Sequence, residues 1–193
     1  MTIRQRILKA LYPLVVRSQS KSSGGEVLMN SSHVPPSSPI IDLLLQTGDG
    51  KLKEADIKGK KLLLVNTASN CGYTPQFGEL QQLYEDNKGK LLIVGFPAND
   101  FKEQERGTDA EINEFCQVNY GVSFPVMKKS SVVPGKNQNP IFKWLSNPAS
   151  NGWNKRWPVW NFSKYLVDEK GNLLGYFGPA VSPLGDEITK RIG

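Results

Sequence analysis

Two short apolar runs separated by a helical pattern limit the fold of this chain more than any other feature. Leu62–Asn66 reads LLLVN and Leu91–Phe96 reads LLIVGF. Nearly unbroken runs of this length mark strands covered on both faces, as in a parallel or mixed sheet with helices packed on it. Between them Phe77, Leu80, Leu83 and Tyr84 recur on one helical face, with Pro75 near the first turn and Asn87-Lys88-Gly89 as the stop. Strand, helix, strand predicts a right-handed βαβ unit with parallel strands. Cys71 stands where the first strand hands over to the helix. The free N–H donors and partial positive charge of a helix N-terminus favour a thiolate there. The competing reading is a small buried residue with inert chemistry.

Ahead of this unit, Ile40–Leu45 and a turn at Gly48-Asp49-Gly50 read as an opening hairpin. After it, Thr108 and Glu111 have capping-box spacing, and Ile112, Phe115 and Cys116 repeat on one face of the helix they introduce. Phe124–Met127 reads as a third short strand, Ser130–Asn139 as a polar loop and Pro140–Leu145 as the start of another helix. Val159–Val167, a turn at Glu169-Lys170-Gly171-Asn172, and Leu173–Phe177 form a second hairpin, with a closing helix over roughly Gly185–Ile192. The order predicts an α/β protein: a thioredoxin-like α/β sandwich with an inserted helix, its central mixed sheet flanked by helices and preceded by the N-terminal hairpin.

A length of 193 residues suits one domain, placed at 40–193, plus an N-terminal extension and linker at 1–39. The net charge is +6, but Arg4, Arg6, Lys9, Arg17 and Lys21 all precede the first acid, Glu26. Without these five, 19 basic residues face 18 acidic ones, so the body has no basic footprint and nucleic acid is not an expected partner. Two cysteines and no C-x-x-C pair exclude a disulfide framework and a thioredoxin-type dithiol. The only histidine, His33, lies in a Ser/Pro-rich segment, which removes Cys-His and Ser-His nucleophile systems and any ordinary zinc site. Neither metal nor cofactor is expected.

In the extension, Ile3, Ile7, Leu8, Leu11, Leu14 and Val15 fall at roughly helical spacing among basic residues, interrupted by Pro13. Three readings stay open: an amphipathic segment lying in a membrane interface, a transit peptide, and a secretory signal. The last fits least, because no A-x-A-like site follows Val16 and because Lys9 and Pro13 break the apolar run. A peripheral membrane contact through residues 1–17 is the favoured expectation, with a cytoplasmic or membrane-peripheral location and export or an organelle left open. Residues 18–39, rich in Ser, Gly and Pro, read as a flexible linker with no core of its own.

Three blocks, VNTASNCGYTPQ at 65–76, GFPANDFKEQERG at 95–107 and PVWNFSKYLVD at 158–168, resemble the signature motifs of the glutathione peroxidase family in order and separation. The resemblance spans about Ile40–Gly193. It implies that Cys71 is the peroxidatic cysteine, standing where some animal members carry selenocysteine, and that Gln104, Trp160 and Asn161 complete a catalytic tetrad. Their chemistry suits the task. Two amides and an indole N–H are neutral donors able to support a thiolate and then a leaving oxygen, with no histidine required. In INEFCQVNYGVSFPV, Cys116 resembles the resolving cysteine of members that use thioredoxin rather than glutathione. A Cys71–Cys116 disulfide would need Cα atoms within about 7 Å and hence a mobile helix.

The chain departs from the family pattern at Ala98 and Asp100, where many members have cysteine and glutamine, and at Arg106, where proline is common. Between Lys129 and Trp160 it is shorter than the tetrameric animal enzymes, which implies a monomer with a site open to lipid hydroperoxides as well as hydrogen peroxide. The expected activity is reduction of hydroperoxides, with thioredoxin, or else glutathione, as reductant. A redox relay that hands a disulfide from Cys71 to a partner protein is the alternative, since the same thiolate serves both.

Overall fold

A computed structural model describes residues 2–19, 23–48 and 50–193. The βαβ unit is present as expected. Strand β2 (Lys61–Thr67) and strand β3 (Leu91–Pro97) run parallel in register from Lys61 opposite Leu91 to Thr67 opposite Pro97. Helix α4 (Gln76–Asp86) connects them. The second hairpin is also present, but its first strand, β4 (Lys164–Val167), is shorter than expected and pairs antiparallel with both β2 and β5 (Leu173–Phe177).

Two expectations are corrected. Ile40–Thr47 forms helix α2, not the first arm of a hairpin. A run as apolar as IIDLLLQT cannot be assigned by periodicity alone. Here Pro39 sets the entry, Asp42 occupies the first turn, and Ile40 and Leu44 bury one i,i+4 stripe. Of the turn proposed after it, Asp49 lies outside the described residues. The second correction concerns residues 18–39, whose described part is not free of the core. Strand β1 (Val27–Met29) pairs antiparallel with β5, completing a five-stranded sheet in the order β1-β5-β4-β2-β3. The pairing is close at Gly175, where a Cβ would meet the Met29 sulfur at 2.7 Å and displace that side chain.

Phe124–Met127 contributes only a single parallel bridge, Val126 to Gly95. The Met127 N–H donates to the Gly95 carbonyl (2.8 Å) and the Pro125 carbonyl accepts from Gly95 (2.9 Å), but Pro125 has no N–H with which to extend the ladder.

Alternation along β2 divides the core. Leu63 and Val65 face one cluster with Phe77, Leu80, Ile112 and Ile188, drawn from α4, α5 (Asp109–Tyr120) and α8 (Asp186–Thr189). Leu62 and Leu64 face a second cluster with Ile40, Leu44, Ile57, Ile141 and Phe142, drawn from α2, α3 (Glu54–Ile57) and α6 (Pro140–Leu145). The sheet is thus covered on both faces, as the unbroken runs required. A short helix α7 (Pro148–Asn151) leads toward β4. Helix α1 (Ile3–Gln19) packs through Tyr12 and Val15 on the cluster that contains Cys71.

Candidate active site

Parallel pairing sets the C-terminal ends of β2 and β3 side by side, and the loops that leave them meet the segment entering β4. Past β2, the chain does not pass straight into a helix: α4 begins at Gln76, five residues beyond Cys71. The interval is a run of tight turns, with Thr74 N–H on the Cys71 carbonyl (3.1 Å) and Gln76 N–H on the Tyr73 carbonyl (2.9 Å). Thr74 pins them, its hydroxyl accepting from the Cys71 N–H (2.9 Å) and donating to the Ala68 carbonyl (2.9 Å). The Tyr73 N–H then points at the Cys71 sulfur, 3.4 Å away. The backbone donors that face the sulfur thus belong to a turn that precedes the helix.

Gln104 is presented by the loop after β3, where Lys102 and Glu103 both have positive φ (51° and 50°). Non-glycine residues in this region carry strain that the surrounding structure must hold, and such strain gathers at functional sites. Phe162, buried behind Trp160 and Asn161, shows the same feature with φ 68°. Asn66, at the end of β2, holds that turn on every side. Its Nδ2 donates to the Trp160 carbonyl (3.1 Å), its Oδ1 accepts from Ser163 N–H (3.0 Å), and its carbonyl accepts from Phe162 N–H (2.6 Å).

Cys71, Gln104, Trp160 and Asn161 therefore converge. Asn161 Nδ2 donates to Gln104 Oε1 at 3.1 Å, while Asn161 Oδ1 is buried without a partner. The Trp160 ring packs at 5.4 Å from Phe101 and lies under Lys102 Nζ at 5.8 Å. A cavity of about 380 Å³ opens here, lined by Val15, Gly72, Tyr73, Gln104, Val159 and Trp160. Cys71 is wholly buried, and burial pushes its thiol up to about 11, against the opposing effect of Tyr73 N–H, Trp160, Asn161 and Gly72 N–H.

Cys116 sits on α5, in the same apolar cluster as Cys71. Both thiols are free. Burial, with the nearby charge of Glu105, pushes Cys116 up to about 12. Glu105, which the sequence reading did not single out, is nearly fully buried. It ties the two loops by accepting from Ser69 N–H (2.8 Å) and the Ser69 hydroxyl (3.0 Å). Burial raises its carboxyl to about 7. Of the departures from the family pattern, Asp100 is the one with a visible role. It accepts from the Ser131 hydroxyl and Val132 N–H, each at 2.8 Å, and so anchors the start of the Gln104 loop. Arg106 pairs with Glu103 on the surface, 2.8 Å apart.

Two free buried thiols in a thioredoxin-like fold, one of them beside amide and indole donors, suit a thiol-based oxidoreductase. A DsbF homologue from Corynebacterium diphtheriae shares the fold (TM-score 0.52, 18% identity, 84% of this chain and 90% of that one). The crystal structure of Trgpx in apo form is similar over more of the chain (TM-score 0.53, 29% identity, 90% and 96% covered). The family model for glutathione peroxidase matches residues 43–146. A glutathione peroxidase-like peroxiredoxin of Saccharomyces cerevisiae is 47% identical over 142 residues, covering 70% of this chain and 86% of that protein. A glutathione peroxidase homolog of Staphylococcus epidermidis is 43% identical over 157 residues, covering 79% and 98%. The chain belongs to the glutathione peroxidase family and is a peroxide-reducing oxidoreductase.

Proposed function

We propose that Cys71 is the residue that reduces the peroxide, with Trp160 and Asn161 as its donors, Gln104 as the residue that orients Asn161, and Cys116 as its resolving partner. In the first step sulfur attacks one peroxide oxygen and the O–O bond breaks. Cys71 becomes a sulfenic acid, and the other oxygen leaves as alcohol or water, taking the proton that the thiol gave up. Trp160 N–H and the Asn161 amide stabilise negative charge as it passes from sulfur to the leaving oxygen, and Gln104 orients Asn161 through their hydrogen bond. In the second step the Cys116 thiolate attacks the sulfenic sulfur, water leaves and a disulfide forms. A dithiol protein of the thioredoxin type restores both thiols by exchange. The active unit is a monomer, in contact with membrane surfaces through residues 1–17.

The observation that carries this reading is the convergence of the buried Cys71 sulfur with Tyr73 N–H, Trp160 and Asn161 beside the cavity of about 380 Å³. The test is turnover of hydrogen peroxide with thioredoxin and its reductase, compared with turnover with glutathione. Cys71→Ser is expected to be inactive with either reductant, and Cys116→Ser to lose the thioredoxin-linked rate. Undiminished turnover in Cys71→Ser would sink the reading, whereas full thioredoxin-linked turnover in Cys116→Ser would remove only its second step.

A further inference from the structure

Helix α1 has two apolar faces, and only one is used. Tyr12 and Val15 face inward onto the cluster around Cys71, and Val15 lines the cavity with Gly72, Tyr73, Gln104 and Trp160. Its methyl carbons lie 3.7 and 3.8 Å from where a side chain on Gly72 would begin. Further along, Thr2 and Gln5 line a neighbouring cavity of about 420 Å³ with Ser69, Gln104, Arg106 and Phe115. The helix therefore lies across the approach to the buried sulfur. On the opposite side Ile3, Ile7, Leu11 and Leu14 form one stripe, at 78, 53, 46 and 64% exposure. They account for most of the exposed large apolar side chains among the described residues.

We propose that this outer stripe docks on an anionic lipid bilayer and that docking lifts α1 from the approach to Cys71. The proposal rests on residues 1–17 being a membrane contact and adds what that contact does to the site. Charge selects the occupant. Arg6 is exposed on α1, Arg4, Lys9, Arg17 and Lys21 belong to the same segment, and no acid precedes Glu26. An apolar stripe with basic flanks seats in the interface of an anionic membrane, where burial of the side chains and attraction to the headgroups act together.

The inner contacts are of a kind that can be exchanged. Gln5 Nε2 donates to the Ser69 carbonyl at 3.3 Å, and Lys9 Nζ sits 5.7 Å over the Tyr120 ring. The Tyr12 hydroxyl is buried beside Glu79 and Gln76 and makes no hydrogen bond of good geometry to either. Among the described residues no helix is long and apolar enough to cross a membrane, so the helix would lie on the surface. Lifting it would return water to Cys71 and lessen the desolvation that holds the thiol protonated.

The experiment uses the full reduced chain with vesicles of phosphatidylcholine and phosphatidylglycerol, and with phosphatidylcholine alone. Flotation reads binding, and single-turnover consumption of hydrogen peroxide reads access to the site. Because this substrate is soluble, any gain cannot come from lipid presenting it. The expected result is flotation with the mixed vesicles only, weakened by salt, together with a several-fold faster single turnover. Leu11→Asp combined with Leu14→Asp should abolish both.

Absence of flotation, or equal flotation with neutral vesicles, would overturn the membrane surface. So would lipid-free self-association that buries the stripe, since the occupant would then be a second copy of the chain. Flotation without acceleration would overturn the release of α1 and leave the contact standing. The lipid-free rate checks the peroxidase reading separately.

Discussion

A thiol held near 11 is almost wholly protonated at neutral pH, and this sets the chemistry Cys71 can perform. Burial is the main cause, and the facing donors oppose it. Below that value the thiolate fraction rises about tenfold per pH unit. Single-turnover oxidation of Cys71 by hydrogen peroxide should therefore climb steeply between about pH 7 and 10. A rate already flat above pH 7 would place the working thiol far lower. Trp160→Phe keeps the ring and removes only the N–H, so the same rate should fall roughly 10- to 100-fold with little loss of stability. Stopped-flow oxidation alongside a thermal melt separates these effects. Trp160 and Asn161 could be singled out from the sequence because they sit inside a recognisable block, whereas the Tyr73 and Gly72 N–H groups that face the sulfur could not. Nor could Asn66. It looks like the end of an apolar run, and its role arises from hydrogen bonds to Trp160 and Ser163, which sequence spacing does not reveal. Glu105 escaped for the same reason, since its partner Ser69 lies on another loop.

At the scale of elements, α5 combines a strong start with a buried thiol. The Thr108 hydroxyl accepts from Glu111 N–H, and the Glu111 carboxylate reaches back to Thr108 N–H at 2.7 Å. Thr108→Ala should cost about 1 kcal/mol in equilibrium unfolding. Cys116 faces the core with Ile112 from within α5, and we propose that α5 loosens when Cys116 bonds to Cys71. Amide exchange across Asp109–Tyr120 should accelerate in the oxidised chain relative to the reduced one. This capping box was visible in the sequence because the interaction is local. The helix at Ile40–Thr47 was not, because a short apolar run fits a strand or a helix until its packing partners are known. Strand β1 was hidden by composition: a three-residue edge strand beside Ser, Gly and Pro takes its identity from pairing with β5.

Across the whole molecule the least expected feature is Lys164, fully buried at the start of β4. Its Nζ lies 3.4, 3.2 and 2.6 Å from the carbonyls of Gly178, Pro179 and Val181, in the loop that also lines the site. Desolvation brings it down to about 7 from an ordinary 10.5. Between those values the unfolded chain holds a proton that the native chain has released, so this group makes stability rise with pH through that window. The thermal midpoint of the wild type should gain on that of Lys164→Met from pH 7 to 9, and a constant difference would refute the assignment. The layered sheet and the βαβ unit were legible at this scale because unbroken apolar runs demand cover on both faces. The position of α1 across the site was not, since amphipathic spacing does not say what a helix packs against.

The central claim is that Cys71 takes the oxygen and Cys116 resolves it. It is tested most directly by giving the reduced chain one equivalent of hydrogen peroxide, alkylating at once and mapping the cysteine peptides by mass spectrometry. The account predicts a Cys71–Cys116 cross-linked peptide that thioredoxin converts back to two alkylated thiols. Recovery of Cys71 as fully alkylated as in the untreated chain would contradict it.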